Sequence, residues 1–561
     1  MLVLGVSSLT HDSAAAVLRD DRLTAAVEED KLSRASTNGG VPERSIQFCL
    51  GTEGATLGDV ELVGVASRSR RAWRREQRLR ARLGTPPGES PKPERRRNGH
   101  PPTDPIADLA YVFGGGGTPG LVEFEHHLCH AASAFFASDC DRALVLTLDG
   151  GGDMWSGLLA VGEGARIRVL RGLRFPDSLG WLYSRVTELL GFRVRQEHKT
   201  QWLSTHGQPD LGHVVRRVFT TDGHGLPRLD RSFLGQRVGD TWMLSPRFES
   251  ELGLPQGVAG ARWPERATLA ASLQAFVEDT VVSLAERYRL ATGASCLCLA
   301  GGVFLNGLLA RALEERTGFD HVFVQPASGN AGTALGAAYL ASLRCNGGRR
   351  PAGLCDVHLG PGYDPMAIKA VLDNCKLIYR YQPDEHQLLA ETSRLLSDHH
   401  TVAWHQGRTE FGLRALGNRS VLASPFSPYV IDNLNQFIKH REDFHPFVLS
   451  VPSERAADFF DATANCRFAA SVARLRSTDS WLRPFALSGG RVRLHVVDRA
   501  SNPRFHSLLI RFGQTAPAPV LVNTSFNLCG EPLVADPRTA VRTVYCCGID
   551  AMVIGDFLLT K

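Results

Sequence analysis

The chain has 561 residues, of which 43% are hydrophobic and 22% charged, and its formal net charge is +5. This length exceeds what one hydrophobic core usually organises, so we expect at least two domains. No uncharged apolar run reaches the roughly 18 residues of a membrane span, and residues 1–7 lack the basic start of a signal peptide. The twelve cysteines include no CxxC pair. We therefore expect a reduced, cytoplasmic protein without a membrane partner.

The first predicted elements are two strands, at residues 2–8 and 23–29, around a turn at Asp20-Asp21. Arginine-rich stretches follow at 67–82 and 94–98, with a Pro/Gly-rich segment between them. Such an excess suits an anion or nucleic-acid surface, but it equally suits a solvated helix and loop. Only Trp73 is available there to stack on a base, so we favour the solvated surface and expect no nucleic-acid partner.

The next segment combines two histidines, a carboxylate and a glycine run. His126 and His130 are four residues apart, so a helix would place both imidazoles on one face. An apolar run then ends in Asp149 and three glycines, Gly150, Gly151 and Gly152. Imidazole and carboxylate are metal ligands, and a glycine-rich backbone can approach a phosphate. The segment thus predicts a metal and a nucleotide in one pocket.

Strands and helices alternate through the rest of the first half. The predicted strands lie at 144–148, 158–161, 295–300 and 321–324, and the predicted helices at 267–288 and 332–343. Three of these strands are expected to end in glycine-rich turns, at 149–152, 300–306 and 329–336. The alternation predicts an α/β domain, and the spaced glycine turns predict one nucleotide cleft built from a duplicated, actin-like fold.

A change of composition at 345–363 predicts a linker, because glycine, proline and arginine replace the helical pattern. We therefore place an N-terminal domain at 1–350 and a second α/β domain at 358–561.

Five motifs in order cover nearly the whole chain. They are His126-xxx-His130, Asp149-Gly-Gly-Gly, Ala300-Gly-Gly-Val-Phe-Leu-Asn306, Phe411-Gly-Leu-Arg-Ala-Leu-Gly-Asn-Arg-Ser420 and Val522-Asn-Thr-Ser-Phe-Asn527. With them the chain resembles the O-carbamoyltransferases of the nodulation and antibiotic type, such as the tobramycin and cephamycin enzymes. The resemblance implies an actin-like (ASKHA) N-terminal domain and a YrdC-like α/β C-terminal domain.

The resemblance also implies a reaction and its co-substrates. The C-terminal domain would make carbamoyl-adenylate from carbamoyl phosphate and ATP. The N-terminal domain, with a divalent metal that is iron in the family, would pass the carbamoyl group to a hydroxyl of a small-molecule natural product, as in antibiotic biosynthesis. The implied partner is thus a small-molecule alcohol, and a homodimer would be a common assembly.

By resemblance, five residues form the carbamoyl phosphate and adenylate pocket, and the first two are also catalytic: Arg414, Lys439, Arg491, Asn523 and Ser525. Cations are needed there because two phosphorylated substrates must meet, and guanidinium groups suit their oxygens. Arg419 and Arg441 add positive charge nearby in sequence. Before Arg491, the residues 485–488 replace the family's His-Val-Asp-Gly stretch.

The implied metal ligands are His126, His130 and Asp149. The family's fourth ligand is an aspartate, and Asn330 stands at its position. A neutral amide is a weaker ligand for a hard cation, so we expect weaker or altered metal binding. Asn330 would coordinate through its oxygen or hold a metal-bound water.

The implied nucleotide site of the N-terminal domain consists of Gly150, Gly151, Gly180, Gly301, Gly302, Asn306 and Asn330. By resemblance His11 lies near the transferred carbamoyl group, where it is either a general acid–base or a structural residue. Ser36 occupies the place of a family lysine.

Three alternatives stay open beside an ATP-dependent O-carbamoyltransferase. They are a ligase with another acceptor nucleophile or altered metal dependence, a non-catalytic nucleotide-binding homologue, and a sugar or acetate kinase that would leave the second half unexplained. The acceptor is not readable from the sequence.

Overall fold

The protein is described by a computed structural model, which covers residues 1–8, 11–35, 40–66, 119–152, 155–238, 241–254 and 257–561. The chain divides into two compact units. The first comprises Met1–Thr24 and Gly39–Gly353, and the second comprises Ala25–Asn38 and Leu354–Lys561. Residues 25–35 thus pack with the C-terminal part of the chain, which nothing in the sequence pattern indicated.

The first unit is built on two five-stranded sheets. Its strands are β1 (Leu2–Ser7), β2 (Ala14–Arg19), β3 (Arg22–Glu28), β4 (Leu62–Ala66), β5 (Gly120–Phe124), β6 (Arg142–Gly152), β7 (Trp155–Glu163), β8 (Arg166–Arg174), β9 (Phe219–Thr221), β10 (Pro227–Leu229), β11 (Leu234–Val238), β12 (Thr241–Leu244), β13 (Cys296–Ala300) and β14 (His321–Val324). The sheets have the orders β3-β2-β1-β4-β5 and β14-β13-β6-β7-β8. Strands β9 and β10, and β11 and β12, form two separate antiparallel pairs.

The two sheets repeat one topology. We number the five strands of each sheet from one to five in chain order. In each sheet, strand one is antiparallel to strand two and parallel to strand four, and strand four is parallel to strand five. The order 3-2-1-4-5 therefore occurs twice in this unit. This duplication is the actin-like arrangement that the glycine pattern predicted, and the predicted α/β class is confirmed.

One local prediction was wrong. The run from Asp149 to Gly152 is not a turn after a strand, because it forms the last residues of β6. The pairing with β7 is regular up to Leu148 and resumes only at Gly152, so the glycines produce an irregularity inside the strand.

The second unit has one ten-stranded mixed sheet. Its strands are β15 (Arg380–Tyr381), β16 (Val402–His405), β17 (Arg419–Ala423), β18 (Val448–Pro452), β19 (Phe460–Asp461), β20 (Val472–Leu475), β21 (Arg491–Val497), β22 (Leu521–Ser525), β23 (Ala551–Ile554) and β24 (Phe557–Thr560). Their order is β15-β24-β23-β16-β17-β22-β18-β21-β20-β19. Ala403 belongs to one buried cluster, and its neighbours Val402 and Trp404 belong to another. Successive strand residues face opposite sides, so both faces of this sheet are covered.

Helices surround these sheets. They are α1 (Glu29–Ser33), α2 (Glu43–Thr52), α3 (His126–Phe135), α4 (Leu179–Leu189), α5 (Glu197–Leu203), α6 (Gly212–Val215), α7 (Pro246–Leu252), α8 (Gly257–Gly260), α9 (Trp263–Thr292), α10 (Gly307–Arg316), α11 (Gly332–Cys345), α12 (Pro365–Asn374), α13 (Glu385–Ser397), α14 (Val430–Asn433), α15 (Ala456–Phe459), α16 (Pro503–Phe512) and α17 (Pro537–Tyr545). The predicted helices at 267–288 and 332–343 are confirmed as α9 and α11. Within the described ranges, none of the helices combines the length and apolarity needed to cross a bilayer.

Helix α11 packs closely because glycines face it. A Cβ on Gly5 of β1 would lie 2.1 Å from the Ala334 carbonyl oxygen, so only glycine permits this approach. On the same helix, a Cβ on Gly336 would lie 1.8 Å from the carbonyl oxygen of Cys129 in α3. Helix α11 therefore fixes α3 at a point between His126 and His130.

Candidate functional site

The candidate metal centre begins with the start of α3. The Glu125 side chain caps this helix by accepting hydrogen bonds from the backbone N–H groups of His127 and Leu128, at 3.0 and 2.8 Å. The helix therefore starts at His126 and holds His126 and His130 one turn apart, with ring centroids 4.6 Å apart. His127 points elsewhere, with Nδ1 2.9 Å from Thr147 Oγ1 and Nε2 3.1 Å from the Trp155 carbonyl oxygen.

Asp149 completes a three-residue cluster. Its Oδ2 lies 3.5 Å from His126 Nε2 and 3.4 Å from His130 Nε2. One ligand atom from each residue lies within 4.8 Å of the other two. Burial has the largest single effect and opposes ionisation of Asp149, but the close polar contacts with His126 and His130 together outweigh it and hold the pKa of Asp149 well below its usual value. The carboxylate is therefore charged and ready to act as a ligand.

The donor set fits a divalent transition metal. Both ring nitrogens of the fully buried His130 lack a hydrogen bond within the described residues, which is costly for a buried imidazole without a ligand. Two imidazoles and one carboxylate are also the set that iron(II) sites commonly use. The structure thus brings together the three residues that the sequence nominated as metal ligands.

Asn330 lies close to His11. Its Nδ2 is 3.1 Å from His11 Nδ1 and 3.4 Å from His11 Nε2. His11 Nδ1 is also 2.9 Å from Asp12 Oδ2, and Arg195 donates to Asp12 Oδ1 at 3.3 Å. Burial has the largest single effect and raises the pKa of Asp12, but the interactions with His11 and Arg195 together outweigh burial and lower the pKa, and the nearby charge of Asp149 acts in the raising direction. His11, Asp12 and Asn330 therefore form a polar group beside the metal centre.

The predicted glycines surround the end of β6. A Cβ on Gly180 would lie 2.7 Å from the Asp149 carbonyl carbon, and one on Gly302 would lie 3.0 Å from Asp149 Oδ1. Gly301 has φ 102, and its Cβ would lie 2.2 Å from the Leu148 carbonyl oxygen. These three glycines are therefore needed for packing around Asp149, whether or not a nucleotide binds.

The other predicted nucleotide residues differ in their surroundings. A Cβ on Gly150 would meet nothing within 4 Å, so space for a ligand exists there. Gly151 follows it inside β6. The Asn306 side chain accepts hydrogen bonds from the backbone N–H groups of Leu308 and Leu309 at 3.1 Å, which makes it the N-cap of α10.

In the second unit, Lys439 ends a π-helical turn, Leu434–Lys439. Its Nζ donates to the carbonyl oxygen of Ser525, to Ser525 Oγ at 3.2 Å and to Asn527 Oδ1 at 2.8 Å. Burial lowers the pKa of Lys439 to about 7, and the charge of Arg441 adds to this effect. The ammonium group is therefore held at the end of β22 in a setting where an anion would stabilise its charge.

Arg414 and Arg441 bring further positive charge, and both side chains are half-buried. Burial lowers the pKa of each guanidinium to about 10. Arg441 Nε donates to Asn435 Oδ1 at 2.9 Å, and its guanidinium lies 4.4 Å from the centre of the Phe447 ring.

Arg491 is not brought into this group. Its Nε donates to the Ser488 carbonyl oxygen at 3.0 Å, within the turn that precedes β21. The arginine that lies there is Arg493, two residues further along the same strand face. Burial, and then the charges of Arg414 and Arg441, lower the pKa of Arg493 to about 9. We call Arg414, Lys439, Arg441 and Arg493 the cationic cluster.

Asn523 connects the cluster to a buried polar chain. Its Nδ2 donates to the Ala415 carbonyl oxygen at 3.3 Å and to Ser450 Oγ at 3.0 Å. Ser450 Oγ in turn lies 3.1 Å from His495 Nδ1. Burial lowers the pKa of His495 to about 3, so this imidazole is neutral.

Arg419 has a structural role. Its fully buried guanidinium donates to backbone carbonyl oxygens, including those of Pro361 at 3.0 Å and Gly407 at 3.1 Å. Both terminal nitrogens of its guanidinium donate to the protein's own backbone, so we assign Arg419 a structural role and not phosphate binding.

Arg493 and Asn527 were missed from the sequence. The alternation in β21, where buried Val492 and Leu494 flank Arg493, was the available signal. Ser36 and the arginine-rich segment at 67–99 lie outside the described residues.

Comparison with known proteins matches both parts of the chain to family models. The model for the carbamoyltransferase N-terminus matches residues 2–70 and 116–339, and that for the carbamoyltransferase C-terminus matches 393–561. Among solved structures, the ROK hexokinase from Thermus thermophilus aligns over 62% of this chain and 100% of its own, with 18% identity and a TM-score of 0.31, which is too remote to bear on function.

Two groups of relatives carry informative names. The nodulation protein NolNO of Sinorhizobium fredii is 33% identical over 99% of this chain and 80% of that protein. The 3'-hydroxymethylcephem-O-carbamoyltransferase of Amycolatopsis lactamdurans is 32% identical over 53% of this chain and 55% of the enzyme, and that of Streptomyces clavuligerus is 28% identical over 75% and 73%. The chain therefore belongs to the carbamoyltransferase family, which includes O-carbamoyltransferases, and it is a carbamoyltransferase enzyme.

Proposed function

We propose that the protein is an ATP-dependent O-carbamoyltransferase with two reaction sites. Its second unit, which we take as the YrdC-like domain, forms carbamoyl-adenylate from carbamoyl phosphate, ATP and water, with release of phosphate from the first and pyrophosphate from the second. Its first unit, with a divalent metal, transfers the carbamoyl group to a hydroxyl of a small-molecule natural product.

The observation that carries the proposal is the cationic cluster. Burial lowers the pKa of Lys439 to about 7 and that of Arg493 to about 9, which means that the protein keeps these positive charges at an energetic cost. A bound polyanion removes that cost, and forked guanidinium groups suit its oxygens. Carbamoyl phosphate and the triphosphate of ATP are anions of this kind.

Each group in the second unit then has a task. Arg414 and Arg493 screen the negative charge of carbamoyl phosphate from that of ATP, so that the two substrates can approach. Lys439 stabilises the negative charge that develops on the leaving phosphate groups, because its Nζ is oriented by Ser525 and Asn527. Asn523 is held by Ser450 and fixes the position of the segment that carries Arg414.

In the first unit, His126, His130 and Asp149 would hold the metal. A bound iron(II) would supply a Lewis acid for the carbamoyl oxygen. His11, oriented by Asp12 and Asn330, is the group that accepts the proton of the acceptor hydroxyl. Gly150, whose surroundings are open, offers the backbone on which the nucleotide part rests.

The acceptor class is suggested by relatives. The names of two relatives state a hydroxymethyl cephem as the substrate, and those of others state a role in nodulation. We therefore propose a small, polar natural-product alcohol as acceptor.

One assay tests the proposal. The protein is incubated with ATP and carbamoyl phosphate, with and without ferrous iron, and pyrophosphate release is measured. We expect release that depends on carbamoyl phosphate in both conditions, and a carbamoylated alcohol only with metal. Absence of pyrophosphate in every condition would favour a non-catalytic homologue. Product on an amine or thiol, but on no alcohol, would favour a ligase with another acceptor.

A further inference from the structure

Residues 25–35 contribute to the unit that we propose forms the adenylate, although they precede most of the other unit in sequence. They contain the charged run from Glu28 to Arg34, including the short helix α1. Two of these charged side chains, Glu28 and Lys31, are almost fully buried. Buried charges need close partners, so their contacts identify what they hold.

Glu28 and Lys31 hold one loop. Lys31 Nζ forms an ion pair with Glu28 Oε2 at 2.8 Å and donates to the carbonyl oxygens of Glu410 and Gly412, both at 2.7 Å. The backbone N–H of Gly412 donates to Glu28 Oε1 at 2.7 Å. Gly412 has φ 117, a conformation that favours glycine. The pair thus fixes the backbone two residues before Arg414.

Glu410, which belongs to the same loop, also stabilises it through its side chain. Its Oε1 accepts hydrogen bonds from the backbone N–H groups of Leu416 at 2.8 Å and Asn418 at 2.9 Å. Arg414 therefore projects from a loop whose backbone is held on one side by Glu410 and on the other by the Glu28–Lys31 pair. We call residues 410–418 the arginine loop.

Arg34 holds a second loop. Its guanidinium donates to the carbonyl oxygens of Leu533 at 2.7 Å and Pro532 at 2.8 Å, and to Glu531 Oε2 at 3.1 Å. The Glu531 carbonyl oxygen accepts from Asn527 Nδ2 at 2.7 Å, and Asn527 Oδ1 accepts from Lys439 Nζ at 2.8 Å. Arg34 is thereby connected to Lys439 through one loop and one amide.

We propose that Glu28, Lys31 and Arg34 are positioning residues for the adenylate-forming site, with the Glu28–Lys31 pair acting through Arg414 and Arg34 acting through Lys439. The inference rests on the proposed function of the second unit. It extends that function because it makes a segment of the N-terminal sequence part of the carbamoyl phosphate site. None of the three residues is required to touch the substrates.

A double-mutant cycle in the full-length chain tests the first branch. The variant E28Q/K31M removes both buried charges at nearly constant shape, so no single uncompensated charge is left behind. We expect it to raise the KM for carbamoyl phosphate in pyrophosphate release about tenfold, and to have an effect below about twofold in the R414A background. The matched control is K369M/D373N, which removes an exposed i,i+4 ion pair of the same unit and should leave KM unchanged.

The outcomes separate the possibilities. A similar tenfold effect in both backgrounds means that the pair acts on general stability and overturns the proposal, as does an unchanged KM in E28Q/K31M. If E28Q/K31M does not fold, the cycle of R34M against K439M decides, since the effect of R34M should disappear in the K439M background. If the wild-type chain releases no pyrophosphate, the proposed function fails, and the same cycle is then read from the equilibrium affinity for ATP.

Discussion

Arg493 is close enough to Arg414 for their positive charges to interact, although the two residues come from β21 and from the arginine loop. Burial, and then the charges of Arg414 and Arg441, lower the pKa of Arg493 to about 9. Two guanidinium groups held together inside a protein repel each other, so their proximity is unfavourable until an anion binds between them. We therefore propose this pair as the place where the second unit binds the negative charge of its substrate.

Substitutions of Arg493 and of Arg491 should have different effects on activity. We expect R493M to lower kcat/KM for carbamoyl phosphate about 100-fold, the size of effect found for the loss of one charge-stabilising donor. R491M removes a guanidinium from the same strand face that bonds only locally to Ser488, and it should retain activity within about threefold. Initial rates of pyrophosphate release measure both. Equal losses in the two variants would contradict the assignment.

Lys439 should give the first half-reaction a pH dependence. Its pKa is lowered to about 7 by burial, so the ammonium form that binds phosphate disappears as pH rises through this value. We expect kcat/KM for carbamoyl phosphate to fall above pH 7 by up to about tenfold per pH unit. K439R keeps its charge and should lack this limb even if its rate is lower. A limb that persists in K439R belongs to another group.

The same lysine affects stability with a definite sign. Its pKa is lower in the folded protein than its ordinary value of 10.5, so between pH 7 and 10.5 the unfolded chain binds more protons. Stability contributed by this group therefore rises with pH across that window. Denaturant unfolding of wild type and K439M at pH 6 and 8 checks this sign. The unfolding free energy of K439M minus that of wild type should be larger at pH 6 than at pH 8.

The candidate sites were predictable where the chemistry follows a local pattern. His126 and His130 are one helical turn apart, and Asp149 follows an apolar run, so both facts are visible in the sequence. Arg491 and Arg493 are not distinguishable in this way, since both are half-buried on one face of β21 and only the surrounding fold decides which of them meets the other cations. The glycines after Asp149 predicted a turn, but pairing with β7 extends the strand through them.

The least predictable feature was the place of residues 25–35. A run such as Glu28-Glu29-Asp30-Lys31 has the composition of a solvated helix, but Glu28 and Lys31 are buried. Their partners, Glu410 and Gly412, lie 379 to 384 residues further along the chain. No periodicity carries information about such a contact, because it depends on how the whole chain folds.

Replacing Asp149 should separate the two half-reactions. D149N removes the charge that the metal ligands need while keeping the size of the side chain, so we expect metal affinity to fall at least tenfold. Pyrophosphate release should stay within about twofold of wild type, because the cationic cluster belongs to the other unit. Metal content and pyrophosphate are measured on the same preparations. Loss of both together would show that the sites are not independent.

Restoring a carboxylate at Asn330 should strengthen the metal centre. N330D adds a negative charge beside His11, and we expect iron(II) affinity to rise about tenfold. The control is N306D, which makes the same chemical change at the N-cap of α10, where the carboxylate still accepts from the backbone N–H groups of Leu308 and Leu309 but loses the hydrogen bond to Gln274. Titration with ferrous iron under anaerobic conditions compares them. Unchanged affinity in N330D would mean that residue 330 does not line the metal site.

The same substitution to alanine should have different effects at two glycines near Asp149. In G180A the new methyl group would lie 2.7 Å from the Asp149 carbonyl carbon and the Gly150 nitrogen, so the end of β6 must move. We expect a loss of about 1–3 kcal/mol in unfolding free energy, together with weaker metal binding, because overpacking displaces backbone.

In G150A the methyl group meets nothing within 4 Å, so stability and metal affinity should stay near wild type. If the backbone at Gly150 approaches the nucleotide, G150A should instead raise the KM of the transfer step. Thermal unfolding, iron titration and transfer kinetics on both variants therefore distinguish a glycine required for packing from one required for a ligand, and the same response in both variants would refute this distinction.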